Sequence, residues 1–223
     1  MYVPTTYRPP EPGWVLDVVR SHPLALLVSG GGGGVGGEVP FATHLPAIPA
    51  DEDGPADGSL VGRTVLGHLN RDNPHWSALT DGGRALLVFT GPGSYVSPTV
   101  YGVTPAAPTW DFVSVHVRGT VRLVQDREAT LDVVRRTVAF CEERFGHGWQ
   151  DRDSVGYFDK ILPGVGAFEL VVEAVDGMFK LSQEQSPALR ERVLDAFERG
   201  PTTQRRELAR LMRGLPESGE GVR

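Results

Sequence analysis

The side chains of this 223-residue chain that could do chemistry are six histidines, one cysteine and a set of aromatic residues set beside proline and glycine. His22 precedes a proline, His147 sits in a glycine turn and His75 follows Pro74, so these three read as surface residues. His44, His68 and His116 fall on strands or strand ends. No pair among them has the i, i+4 helical spacing or the neighbouring carboxylate of a zinc hydrolase, which makes a zinc site a poor reading. One neutral imidazole is nevertheless enough to ligate a haem iron, because the porphyrin supplies the other four nitrogens. The alternative for each histidine is a structural imidazole bonded to backbone. Cys141 is the sole cysteine, which excludes a disulfide framework and every multi-cysteine metal centre and fits a reducing, cytoplasmic location. No serine lies in a G-x-S-x-G elbow, so covalent hydrolysis is unsupported. Tyr2, Tyr7, Trp76, Tyr95, Tyr101, Trp110 and Phe112 could wall a flat ligand or form small core clusters.

Composition narrows the classes further. Twenty-two Lys and Arg against 28 Asp and Glu give a net charge of −6, which offers no diffuse basic field for nucleic acid or anionic lipid. No apolar run of about 18 residues and no signal sequence is present, so no membrane association is expected. With 28 Gly and 18 Pro, roughly a fifth of the chain is turn-forming, against about 12% in average usage, which favours many turns and short strands.

The elements that must position these groups can be read from periodicity. Trp14, Val15, Val18 and Val19 recur at helical spacing after Pro12, and Pro23 stops the helix. Leu24 to Val28 and Phe41 to Leu45 read as strands joined by the glycine loop Gly30 to Gly37, with a second loop over Pro49 to Ser59. Leu60 to Leu69 and Ala85 to Phe89 are further strands, and Asn73-Pro74 breaks the first of them. Between Val113 and Leu123 the odd positions are apolar and the even ones polar, except that Gly119 on the apolar row suggests a bulge. Leu131, Val134, Val138, Cys141 and Phe145 predict a helix with Asp126 capping its start and Gly146 its end. Phe168, Leu170, Val172 and Ala174 alternate in a late strand that Asp176-Gly177 turns back. Ser186-Pro187 opens a helix carrying Leu189, Val193, Ala196 and Phe197. A last helix from about Thr202 sets Leu208, Leu211 and Met212 opposite Arg205, Arg206, Arg210 and Arg213, a pattern read as a solvated face over a packed one. The expected class is α+β, mainly antiparallel β: a barrel with peripheral helices in one domain over residues 1–215, with 216–223 as a flexible tail. Gly32-x-Gly34-x-x-Gly37 matches a dinucleotide fingerprint, but Glu38-Val39-Pro40 cannot open the helix that fingerprint needs.

Taken together, Tyr2-Val-Pro, Tyr7-Arg-Pro-Pro, His22-Pro-Leu-Ala, Ala42-Thr-His-Leu-Pro46, Gly67-His-Leu-Asn-Arg71, Asn73-Pro-His-Trp76, Tyr95-Val-Ser-Pro98, Pro108-Thr-Trp-Asp-Phe112, Val115-His-Val-Arg-Gly119 and Phe179-Lys-Leu-Ser-Gln183 resemble the PaiB-like family over nearly the whole chain, in order. The resemblance implies a split β-barrel that dimerises around a flavin-type site at the subunit interface, many members being labelled FMN-binding transcriptional regulators. This chain departs from the expected pattern: Pro98-Thr-Val-Tyr101 stands where Ser-Trp-Tyr follows, Thr104-Pro-Ala-Ala-Pro108 lacks a lysine, Asp111 replaces Asn, and Met178 replaces a cation. Losing two cations weakens an FMN phosphate site, since a dianion needs donors or positive charge. Pro98-Thr-Val-Tyr101, the segment from Thr104 to Phe112, Pro163-Gly-Val-Gly-Ala-Phe168 and the segment from Gly177 to Gln185 are more similar to the haem-dependent piperazate synthases.

That branch implies haem b as cofactor, with FMN as the alternative, and N5-hydroxy-L-ornithine as substrate, cyclised to L-piperazic acid with loss of water. The matched Gly-His-Leu-Asn motif makes His68 the implied axial ligand, or else a strand-end histidine bonded to backbone. His44 is the runner-up ligand or a group behind it. Arg8 and Arg71 are candidates to pair with haem propionates, since a carboxylate invites a guanidinium, and Trp76 joins them on the cofactor side. Thr43, Tyr95 and Tyr101 are candidates to orient substrate and Lys180 to bind its carboxylate. The implied partner is a second copy of the chain, and no nucleic acid or membrane.

Overall fold

In a computed structural model, residues 1–30, 39–51 and 58–216 of the chain are described, apart from the side chain of Asp153. The glycine run from Gly32 to Gly37, most of the acidic loop and the end of the expected tail lie outside them. Six antiparallel strands close a barrel in the order β1-β2-β3-β6-β5-β4: β1 Leu24–Ser29, β2 Phe41–Pro49, β3 Thr64–Asn70, β4 Arg84–Val96, β5 Thr109–Val124 and β6 Val165–Lys180. Among the described residues seven helices decorate it: α1 Pro12–Ser21, α2 Pro74–Ala78, α3 Pro98–Tyr101, α4 Arg127–Phe145, α5 Val155–Ile161, α6 Pro187–Glu198 and α7 Thr203–Gly214. None of these helices is long and apolar enough to cross a membrane.

The interior follows from side-chain alternation. Ala25 and Leu27, Leu45 and Ala47, Val65 and Leu69, Leu87 and Phe89, and Val113, Val115, Val117 and Val121 all point inward and are buried. Along β6 the inward set is Phe168, Leu170 and Val172 and then Gly177 and Phe179, so the phase changes within the strand. The ladder explains it: Arg118 faces Ala174 but Gly119 faces Val172, which leaves Glu173 as one extra residue in β6. A bulge of this kind flips the side-chain parity beyond it. Gly119 is required there, because a Cβ would lie 2.1 Å from the Val171 carbonyl oxygen. This corrects the turn expected at Asp176-Gly177: both residues are paired in β6, opposite His116 and Val115.

Around the barrel, α4 lies outside β2, β3 and β6, where Val133 and Phe140 pack with Ile48, Leu66 and Ala167. Asp126 caps α4 through its carboxylate to the Ala129 N–H at 2.8 Å. The buried face differs from the expected stripe: Thr130, Val133, Val134, Thr137 and Phe140 are buried, Cys141 is half-buried and Phe145 is exposed. The barrel wall, not the helix's most apolar face, sets the rotation. Helices α6 and α7 add Val193, Leu194, Phe197, Leu208, Ala209 and Met212 to the main core. Of the arginines opposite, Arg205 donates to Ser94 Oγ (3.0 Å) and Arg213 pairs with Glu198 (2.5 Å).

Candidate functional site

Two polar clusters sit far apart on the barrel. The first lies outside β2 and β3. Ladder pairing puts His68 opposite Ala167, at the Val165 end of β6, while Val65 and Leu69 on the alternate row of β3 face the interior. His68 is therefore displayed on the outer wall, into a cleft of about 550 Å³ lined by Thr43, His44, Leu45, Pro46, Asn70, Asn73, Ile161 and Val165. Burial holds its imidazole below the ordinary histidine pKa, so the ring is neutral at pH 7. Its Nδ1 is buried with no hydrogen-bond partner. A lone pair or N–H left unmade in this way is costly, and it fits a site that expects a ligand. His44 is exposed at the same cleft.

Thr43 is anchored from behind. Its Oγ1 accepts from Asn73 Nδ2 (3.2 Å) and bonds His75 Nδ1 (2.9 Å), while His75 Nε2 bonds Ser29 Oγ (2.9 Å). His75 is only 1% exposed, stacked on Phe41 at 5.4 Å, which corrects its reading as a surface residue. Asn73-Pro74 does not merely break the chain; the Asn73 side chain accepts from the His75 N–H and starts α2, which turns the imidazole inward. Arg71 and Trp76 bracket this corner: Arg71 Nε donates to the Val165 carbonyl (2.8 Å) and its guanidinium lies 5.2 Å from the Trp76 ring centre. Trp76 in turn packs flat on Gly166, where a Cβ would come within 2.4 Å of the ring.

Tyr95, Tyr101 and Lys180 belong to the second cluster. Lys180 lies thirteen residues beyond Ala167 on β6, a path of roughly 40 Å at about 3.3 Å per residue. Its Nζ donates to Thr109 Oγ1 and stands 5.9 Å from the Tyr7 ring centre. Tyr95 is exposed, edge-on to Trp110 at 6.2 Å. The Tyr101 hydroxyl is buried without a partner, and burial, Asp111 and Glu184 all raise its pKa. Arg8 lies near this end of β6, in a separate cleft of about 610 Å³ shared with Val175, Asp176 and Gly177. One chain therefore does not bring Arg8, Tyr95, Tyr101 and Lys180 to His68.

Sequence reasoning passed over the centre of the second cluster. Asp111 is 0% exposed; one carboxylate oxygen accepts from Ser182 Oγ at 2.6 Å and the other has no partner. Burial pushes its pKa up to about 6, with Glu184 adding to the rise and Ser182 and Lys180 opposing it. Ser182 takes a left-handed backbone, φ 59°, to reach it. Tyr7 is pushed up to about 12 by burial and by the neighbouring Glu184. The available signal was Asp111 lying on the inward parity of β5, where an acid must find a donor.

The chain matches known proteins at three levels. Residues 1–174 match the profile of the family described as "Putative FMN-binding domain". The chain is 23% identical over 212 residues to the Protease synthase and sporulation protein PAI 2 of Bacillus subtilis, covering 95% of this chain and 96% of that one. It is 24% identical over 251 residues to an uncharacterized protein of Emericella nidulans, covering 99% and 98%. Among solved structures it resembles a conserved hypothetical protein from Mycobacterium tuberculosis (TM-score 0.53, 14% identity, 84% of this chain and 94% of that one). It also resembles the flavocytochrome Anf3 from Azotobacter vinelandii (TM-score 0.52, 17% identity, 74% and 65%). The structural likenesses establish the split-barrel fold, and the profile match runs from the first residue into the last strand of that barrel: the chain belongs to the PaiB-like family of FMN-binding domains.

Proposed function

We propose that this PaiB-like barrel is a haem-dependent piperazate synthase, and that His68 holds the iron. The observation that carries the reading is the neutral His68 ring with its unpartnered Nδ1, at the cleft outside β2 and β3. A neutral imidazole is a metal ligand. Haem, when bound, would supply a Lewis-acidic iron that polarises an N–O bond. The protein's own part is to hold and dry the reactants. Neutral His68 offers a lone pair without first losing a proton. Pro46, Ile161 and Val165 keep the cleft apolar, and Thr43, fixed by Asn73 and His75, holds a hydroxyl at its edge. Lys180 would take the substrate carboxylate, and Tyr95 and Tyr101 would set its orientation. The reaction is redox-neutral: the N–N bond forms as the N–O bond breaks, the α-amine loses a proton, and hydroxide leaves as water.

Because the two clusters lie at opposite ends of β6, a shared site requires a second copy of the chain. The barrel wall between them suits one. Leu26 pairs with Val88 and Val28 with Leu86, and with Leu24, which is 63% exposed, they form an apolar outer face on β1 and β4. The homodimer is part of the proposal.

The test is the ultraviolet–visible spectrum of protein expressed with haem precursor, before and after N5-hydroxyornithine. A Soret band that moves on adding substrate, with piperazate detected by mass spectrometry, is the expected result. A flavin spectrum, or no chromophore after haem is supplied, overturns it. The second reading, an FMN-binding regulator or flavin-dependent reductase, is favoured by the family match and would then stand.

A further inference from the structure

Behind Thr43 the structure holds a continuous hydrogen-bonded chain whose inner members, His75 and Ser29, have no part in haem ligation or substrate binding. It begins at Ser29, which lines a separate cleft of about 260 Å³ with Gly30, Leu79, Thr80 and Arg84. It runs from Ser29 Oγ to His75 Nε2 (2.9 Å) and from His75 Nδ1 to Thr43 Oγ1 (2.9 Å), and ends in the His68 cleft, which Thr43 lines. Both ring nitrogens of a buried histidine are thus engaged by hydroxyls, each of which can donate or accept. An imidazole so placed passes a proton by taking one at one nitrogen while releasing one from the other.

We propose that Ser29, His75 and Thr43 form a proton relay between the Ser29 cleft and the His68 cleft. It rests on the reading of the His68 cleft as the reaction site. Water gives a proton to Ser29 Oγ, and the Ser29 hydroxyl proton passes to His75 Nε2. The Nδ1 proton passes to Thr43 Oγ1, and the Thr43 hydroxyl proton leaves into the His68 cleft, where it meets the departing hydroxide; the proton released by the α-amine goes to solvent and neutralises the hydroxide left in the Ser29 cleft. One proton crosses, no bond between heavy atoms changes, and the ring moves from its Nδ1–H to its Nε2–H tautomer. The groups facing the ring suit this. Ser29, Thr43 and the Phe41 face carry no charge that would pin one tautomer. Burial also lowers the His75 pKa, so the ring stays neutral at pH 7.

The tautomer itself is the readout. In protein labelled with 15N-histidine, with the His75 signals assigned by their loss in His75→Gln, both ring nitrogens are expected to show averaged shifts at pH 7. Thr43→Val should collapse them to one tautomer, and Thr43→Ser should restore the averaging. A single fixed tautomer in the wild-type protein from pH 5 to 8 would overturn the relay and leave His75 as a brace between β1, β2 and α2. The cofactor spectrum is independent of this result: averaging without a Soret band sinks the haem reading alone, and a Soret band with a fixed tautomer sinks the relay alone.

Discussion

At the scale of single residues, burial does the chemistry. His68 is neutral because solvent is kept from it, and its Nδ1 lacks a partner. His68→Ala is expected to abolish the Soret band while circular dichroism and the unfolding midpoint stay near wild type, since the side chain lies outside the barrel core. A retained wild-type spectrum would move the ligand to His44. Asp111 gives a second expectation. Its folded pKa of about 6 lies above an unfolded value of about 3.9, so between those pH values the folded chain holds the extra proton. Its contribution is therefore full below about pH 4 and is lost as pH rises through 6. Asp111→Asn should remove that fall, to the extent of about 2–3 kcal/mol at pH 7 at about 1.4 kcal/mol per unit; urea midpoints at pH 4.5 and 7.5 measure it. The place of His68 near a strand end was legible in sequence, because an apolar run leads up to it and Asn73-Pro74 follows. His75 was not, because a residue after proline reads as turn until the Asn73 cap is seen to wind the next residues into α2.

At the scale of elements, close approaches decide what a position tolerates. Gly166→Ala would drive a methyl into Trp76 at 2.4 Å, displacing the ring and the Arg71 guanidinium above it. Overpacking of this kind costs about 1–3 kcal/mol, and a changed tryptophan emission with a lower unfolding midpoint should report it. Asp126→Ala removes the α4 cap and should cost about 1 kcal/mol by the same midpoint. Strands with unbroken alternation, above all β5, were legible to within a few residues. The far half of β6 was not, since the extra Glu173 reverses the parity and imitates a strand end. Helices α2, α3 and α5 were too short to show a period, although Asn73-Pro74 and Ser97-Pro98 carry the same start signal as Ser186-Pro187.

At the scale of the whole molecule, the two clusters share one strand but not one end of it. Leu26→Glu with Val88→Glu is expected to convert a dimer into a folded monomer in analytical ultracentrifugation and to lose substrate-induced changes in the spectrum. A wild-type protein that sediments as a monomer at micromolar concentration would refute the shared site. The barrel was legible because its interior rows are mainly apolar and alternate with polar ones; the separation of the clusters was not, because register along β6 is set by the ladder and cannot be counted from motifs.

The strand order also dictates how the chain must be made. β6 is the last strand in sequence yet sits between β3 and β5. Until residues up to Lys180 have left the ribosome, the nascent sheet β5-β4-β1-β2-β3 has two raw edges. Unpaired edges template association with other chains, so between completion of β5 at Val124 and of β6 at Lys180 the chain is in the state most open to strand exchange. Closure by β6 ends that exposure in one step, sealing both edges at once.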